Sequence, residues 1–133
     1  MGKLIVYAAI TALLVAGAAQ SQQPPPAQAG GIKRTVLQRV DIPGTSYETV
    51  LGVAEIAAGI NAGRHTHPGP ETGTVTEGEM ILLIDGQPDK TLKVGESYQI
   101  PTGVVHDVRT ASGAKVVAAY MIPKGAPLAT PAK

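Results

Sequence analysis

Three histidines are the residues of this 133-residue chain best equipped for chemistry. His65 and His67 are two apart, so on a strand both side chains leave the same face. Glu71 follows four residues later, beyond Pro68-Gly69-Pro70, a turn able to bring its carboxylate back toward the two imidazoles. The third histidine, His106, follows the Pro101-Thr102-Gly103 turn in the stretch GESYQIPTGVVH. Imidazole is the commonest metal ligand, and a carboxylate compensates the charge of a divalent cation. Cysteine is absent, which excludes disulfides, thiolate metal sites and a thiol nucleophile. Three histidines and one carboxylate are therefore the best metal site this composition can build. The His-x-His pair by itself is a weak signal, because single histidines usually sit on the surface or are satisfied in a core.

The elements that must position these residues read as strands. Val36, Val40 and Ile42 alternate with polar residues between Lys33 and Ile42. Between Tyr47 and Ile56 one face carries Val50, Ala54 and Ile56, the other Tyr47, Leu51 and Val53. Both patterns have the period of two that a half-buried strand requires. Glu79–Asp85 is nearly continuous in apolar residues, as for a strand buried on both sides, and Asp85-Gly86 supplies a hairpin turn. Thr91–Val94, Ser97–Ile100, Val104–Arg109 and Lys115–Ile122 complete the series. Gly78, between Glu77 and Glu79, reads as a tight turn joining two strands. No segment combines a helical period with caps, so the expectation is an all-β sandwich or barrel. Phe and Trp are absent, so Val, Ile, Leu, Ala and Met must pack its core, and stacking platforms for bases are scarce.

The ends read differently. Lys3, the apolar run Leu4–Val15 and the small residues Ala16–Ala19 have the form of a secretory signal peptide over residues 1–19. Residues 20–31 are a flexible Pro/Gln-rich leader by composition, and 124–133 a flexible C-terminal tail. That leaves a barrel domain at 32–123, in a protein expected in a bacterial periplasm or secreted. After signal cleavage no membrane partner is expected, and a formal net charge of +1 offers no basic field for nucleic acid. A domain this small gains from burying surface in a homodimer, for which Val116-Val117-Ala118 is the candidate face.

The spacing of the site residues resembles a known family. Gly59-x5-His65-x-His67-x3-Glu71-x6-Gly78 is similar to the first cupin motif at every fixed position. Gly95-x5-Pro101-x-Gly103-x2-His106 is similar to the second, departing only at its last position, where Thr110 stands for the usual Asn. The resemblance implies a small double-stranded β-helix, or jelly-roll, barrel. It also implies that His65, His67, Glu71 and His106 bind one divalent transition metal, from among Mn, Fe, Ni, Zn, Co and Cu. Four protein ligands close a tetrahedral zinc site but leave two positions open on an octahedral ion. A small-molecule substrate or ligand follows. The reaction expected is that of a dioxygenase-like enzyme or a metal-assisted isomerase or lyase on a small organic anion, with Glu71 the candidate base if it leaves the metal. The alternative is a non-catalytic binding module: a sensor, a store or a stability element.

The other polar residues read as scaffold. Asp107, Arg64 and Arg109 face away from the histidines by strand alternation. Tyr98 and Tyr120 are candidates to line the cavity or its mouth, with core packing the commoner role for each.

Overall fold

The computed structural model describes residues 30–133, in which nine strands and no helix occur. The signal-peptide and most of the leader assignment fall on residues 1–29, outside the described residues. Strands β1 (Ile32–Asp41) and β2 (Tyr47–Ile56) form a long hairpin. A two-residue strand, β3 (His65–Thr66), carries the first histidine. The central strand β4 (Glu71–Ile84) is followed by β5 (Lys90–Lys93), β6 (Ser97–Ile100) and β7 (His106–Arg109). Then come β8 (Ala114–Pro123) and the short β9 (Thr130–Pro131). The strand order β1-β2-β8-β4-β7-β3-β9, with β5 and β6 also on β4, makes a curled, antiparallel jelly-roll sheet.

β4 joins the two halves of the barrel. Its first part pairs with β8 and β6, and its second part with β5 and β7. The tight turn expected at Gly78 is instead a bend within one 14-residue strand. The register slips between Val75 and Glu77, and Gly78 takes a φ of 71°. A Cβ at Gly78 would lie 2.1 Å from the Gly113 carbonyl oxygen, so only glycine lets the strand turn against β8 here.

The core is aliphatic, as the composition requires. Val50, Val75, Met80, Leu92, Ile100 and Ile122 are fully buried. Truncating Met80, Leu92, Ile100 or Ile122 to Ala should cost about 2–5 kcal/mol through lost transfer energy and the cavity left behind. Two expectations about faces are corrected. A bulge between Val36 and Gln38 reverses the alternation of the edge strand β1 beyond it, turning Val40 outward beside Thr49, while Val36, just before the bulge, is exposed as well rather than in the core. Val116 and Ala118 are buried inside the barrel with β8 hydrogen-bonded on both edges, so Val116-Val117-Ala118 is no exposed face. The outer face instead shows Val40, Thr49 and Met121 side by side across three strands.

The tail reading is corrected as well. Residues 124–133 fold onto the barrel, where β9 pairs with β3 as His65↔Pro131 and Thr66↔Thr130. The Ala132 amide donates to the Arg64 carbonyl at 2.9 Å, and Arg64 Nε donates to the Lys133 carbonyl at 3.1 Å. Composition pointed to disorder because prolines and small residues carry little apolar surface. The backbone pairing of two residues, and Leu128 packed against the core, hold the segment in place.

Candidate metal centre

Each histidine reaches the barrel interior from a different local setting. His65 lies on β3 opposite His106 on β7, so strand pairing alone makes them neighbours. His67 leaves β3 just before the Pro68-Gly69-Pro70 turn, and Glu71 opens β4 just after it. The turn does return the carboxylate: Glu71 Oε2 is 2.8 Å from His67 Nε2 and 3.6 Å from His106 Nε2. Ring centroids are 4.2 Å apart for His65–His106, 4.9 Å for His65–His67 and 5.0 Å for His67–His106. One ring nitrogen from each histidine lies within 4.8 Å of the other two. All four side chains are buried.

The outer nitrogens show which way the rings present their lone pairs. His65 Nδ1 is 2.7 Å from the Gly63 carbonyl, His67 Nδ1 2.6 Å from that of Leu128, and His106 Nδ1 3.0 Å from that of Val104. A carbonyl only accepts, so each Nδ1 carries the proton and donates it. The neutral tautomer then leaves each Nε2 as an unprotonated lone pair. For His67 that lone pair faces a carboxylate oxygen, an arrangement resolved only by a second proton or a shared cation. The donor set fits a metal ion: three oriented imidazoles, one carboxylate and a backbone bond fixing each ring.

Two residues read mainly as core belong to the site. Tyr98 Oη donates to Glu71 Oε1 at 2.7 Å and Tyr120 Oη to the same oxygen at 3.0 Å. Tyr98 reaches it because Gly73 lies opposite, where a Cβ would be 2.5 Å from the phenol. Tyr120 lies directly opposite Glu71 in the β4–β8 register. The signal for both was available, since a buried tyrosine needs a partner for its hydroxyl. Burial pushes both phenols well above their usual range, and the adjacent Glu71 charge adds to it. Burial would raise the Glu71 carboxyl too, but the bonds that His106 and His67 donate when their Nε2 atoms carry a second proton, together with the Tyr98 bond, outweigh it and hold that carboxyl below the usual range. His65 is lowered to about 4, chiefly by burial, against the raising effect of the Gly63 carbonyl and with His106 and His67 reinforcing it.

The scaffold residues sit where alternation put them. Arg64 pairs with Asp85 through two bonds of 2.6 and 2.7 Å, and Arg109 with Asp89 at 2.8 Å. Asp107 accepts from the Val108 amide at 2.7 Å. Thr110, in the position that resembled an Asn, donates to the Glu79 carbonyl at 2.6 Å and accepts from the Gly113 amide at 3.0 Å. It ties β7 to the bend in β4.

Comparison with known proteins agrees with this architecture. Residues 52–123, more than half of the chain, match the Cupin domain family. The chain belongs to the cupin family.

Among curated proteins, it is 49% identical over 49 residues to the HTH-type transcriptional regulator PuuR of Escherichia coli (strain K12). That match covers 37% of this chain and 26% of the regulator, so the chain spans about a quarter of that relative's length. Among solved structures, a double-stranded β-helix protein from Klebsiella pneumoniae superposes with a TM-score of 0.62 at 22% identity, covering 82% of this chain and 90% of that one. The DMSP lyase DddQ from Ruegeria pomeroyi gives 0.63 at 20% identity, over 75% and 51% of the two chains. Oxalate oxidase in complex with the substrate analogue glycolate gives 0.58 at 23%, over 75% and 54%. At these identities the structural likenesses establish the fold alone.

Proposed function

We propose that this chain is an exported cupin that holds one divalent transition metal through His65, His67, His106 and Glu71 and acts with it on a small organic anion. The reaction classes that suit such a centre are dioxygenase-like oxidation and metal-assisted isomerisation or elimination. The observation that carries this reading is the orientation of the imidazoles, each Nδ1 tied to a backbone carbonyl and two Nε2 atoms turned to Glu71 Oε2. The folds of the lyase and the oxidase above support it as analogies. When bound, a divalent ion supplies Lewis acidity toward a carbonyl or carboxylate oxygen.

The chain's own residues define the rest. Tyr98 and Tyr120 grip Glu71 Oε1 and keep the carboxylate in place. Glu71 is therefore better placed to hold an ion than to swing away as a base. Met80, Val108 and Val116 form apolar walls, and the cavity volume of about 40 Å³ restricts what enters. Elemental analysis of protein purified from its native compartment, against a His65→Ala/His106→Ala variant, tests the centre. Equal metal content in the two would sink it.

A second reading, a ligand-sensing module without turnover, is favoured by the regulator match. Metal-dependent ligand binding with no product formed would select it. The expected homodimer also stays a proposal, its surface moved to the Val40–Thr49–Met121 row; sedimentation of a Met121→Lys variant tests it.

A further inference from the structure

We propose that Tyr98 and Tyr120 are positioning residues that confine Glu71 to ligation through a single oxygen, and so keep a place open beside the three histidines for a small anion. This deepens the metal-centre reading and rests on it. The carboxylate is divided in use. Oε2 lies 2.8 Å from His67 Nε2 and 3.6 Å from His106 Nε2, while Oε1 accepts from the Tyr98 hydroxyl at 2.7 Å and from that of Tyr120 at 3.0 Å. An ionised carboxylate has about four lone-pair sites, about two on each oxygen. Two phenol donors therefore fill Oε1 and leave Oε2, on the side of the imidazoles, to meet an ion. The phenols come from the two strands that flank the start of β4, β6 on one edge and β8 on the other, so they hold the carboxylate from both sides.

Coordination arithmetic gives the consequence. Three imidazoles and one carboxylate oxygen supply four donors, and an octahedral ion then keeps two places for exogenous ligands. A carboxylate gripping through both oxygens takes one of those places. Packing alone would be served by phenylalanine at either position. Two hydroxyls on one oxygen, rather than one on each, are what set the two carboxylate oxygens apart. The backbone is fitted to the same end: a Cβ at Gly73 would come 2.5 Å from the Tyr98 hydroxyl, so glycine is what lets that phenol reach Oε1.

Azide reads the open place, and infrared spectroscopy reads the carboxylate. Wild type, Tyr98→Phe, Tyr120→Phe, the double variant and Gly73→Ala are loaded with Co(II), their metal content is measured, and each is titrated with azide through the visible Co(II) spectrum. Metal-loaded minus metal-free infrared spectra of protein carrying isotope-labelled glutamate give the gap between the two carboxylate stretches, which narrows when both oxygens grip one ion. The expected result is a wide gap in wild type. In the double variant the gap narrows and azide binds about 10-fold more weakly, at full Co(II) content. Each single variant falls between, as does Gly73→Ala, which displaces the Tyr98 phenol and spares Tyr120. The sign separates this role from packing, because deleting hydroxyls only enlarges the cavity and would leave azide binding unchanged or tighter. Azide affinity within about twofold of wild type and an unchanged gap in the Co(II)-loaded double variant would overturn the role of the tyrosines while leaving the metal centre intact. Should the double variant not fold, unchanged readings in both single variants and Gly73→Ala overturn it in the same way. A narrow gap in wild type would overturn it without any variant. No Co(II) uptake by wild type would overturn the metal centre and this inference together.

Discussion

Two hollows in this barrel differ in size and in chemistry, in opposite senses. The larger, about 840 Å³, lies where β1 and β8 begin and β2 ends, and is lined by glycines, Ser112 and charged residues. Its charges are spoken for: Lys33 pairs with Glu55 at 3.2 Å and Lys115 with Glu77 at 3.0 Å, all in contact with solvent. The smaller, about 40 Å³, gathers three imidazoles, a carboxylate and two phenols out of water. Volume alone would select the wrong one. Reactivity comes from donors that are dehydrated, oriented from behind and turned toward a common point, and only the smaller hollow has them.

The largest effect that would sharpen this contrast is loss of a ligand. His106→Ala should abolish metal uptake by equilibrium dialysis, whereas Lys115→Ala in the larger hollow should leave uptake and melting temperature unchanged. Uptake that follows Lys115 instead would reverse the comparison. Next comes the support behind the ligands. Deleting residues 125–133 removes the Leu128 carbonyl from His67 and should weaken metal affinity by about 10–100-fold in a chelator competition. Smaller again are Tyr98→Phe and Tyr120→Phe, each removing one hydrogen bond to a buried carboxylate; urea unfolding should show about 1–3 kcal/mol lost for either. The last effect is spread over pH. His65, lowered to about 4 in the folded metal-free protein against 6.5 when unfolded, binds its proton first in the unfolded chain. Its contribution to stability is thus full above pH 6.5 and declines as pH falls toward 4. An NMR titration placing His65 near 6.5 in the folded protein would contradict its burial.

The sequence made some of this legible and hid the rest for physical reasons. His65, His67 and Glu71 were readable as neighbours because alternation and the Pro68-Gly69-Pro70 turn are local, whereas His106, which joins them through β3–β7 pairing, was expected there from the resemblance to the cupin motifs. Alternation made the inward faces of β2 readable as well. The bulge in β1 was not, because one extra residue at Leu37 exchanges the two faces beyond it without altering composition. Nor was the continuity of β4, since Gly78 is as consistent with a turn as with a bend against Gly113. The tyrosine grip on Glu71 depends on cross-strand register, set by partners 27 and 49 residues away. The tail was the largest miss. Its hold comes from a few backbone bonds to β3, which leave no mark in hydropathy.

That tail has a consequence in the order of synthesis. Chains are made from the amino end, and all four donors have been made once residue 106 is in place, yet the carbonyl that orients His67 belongs to Leu128. A nascent chain halted after β8 holds every ligand and an incompletely supported site. The four donors are fully supported only when translation has delivered Leu128 and β9 and they have folded back beside the first histidines.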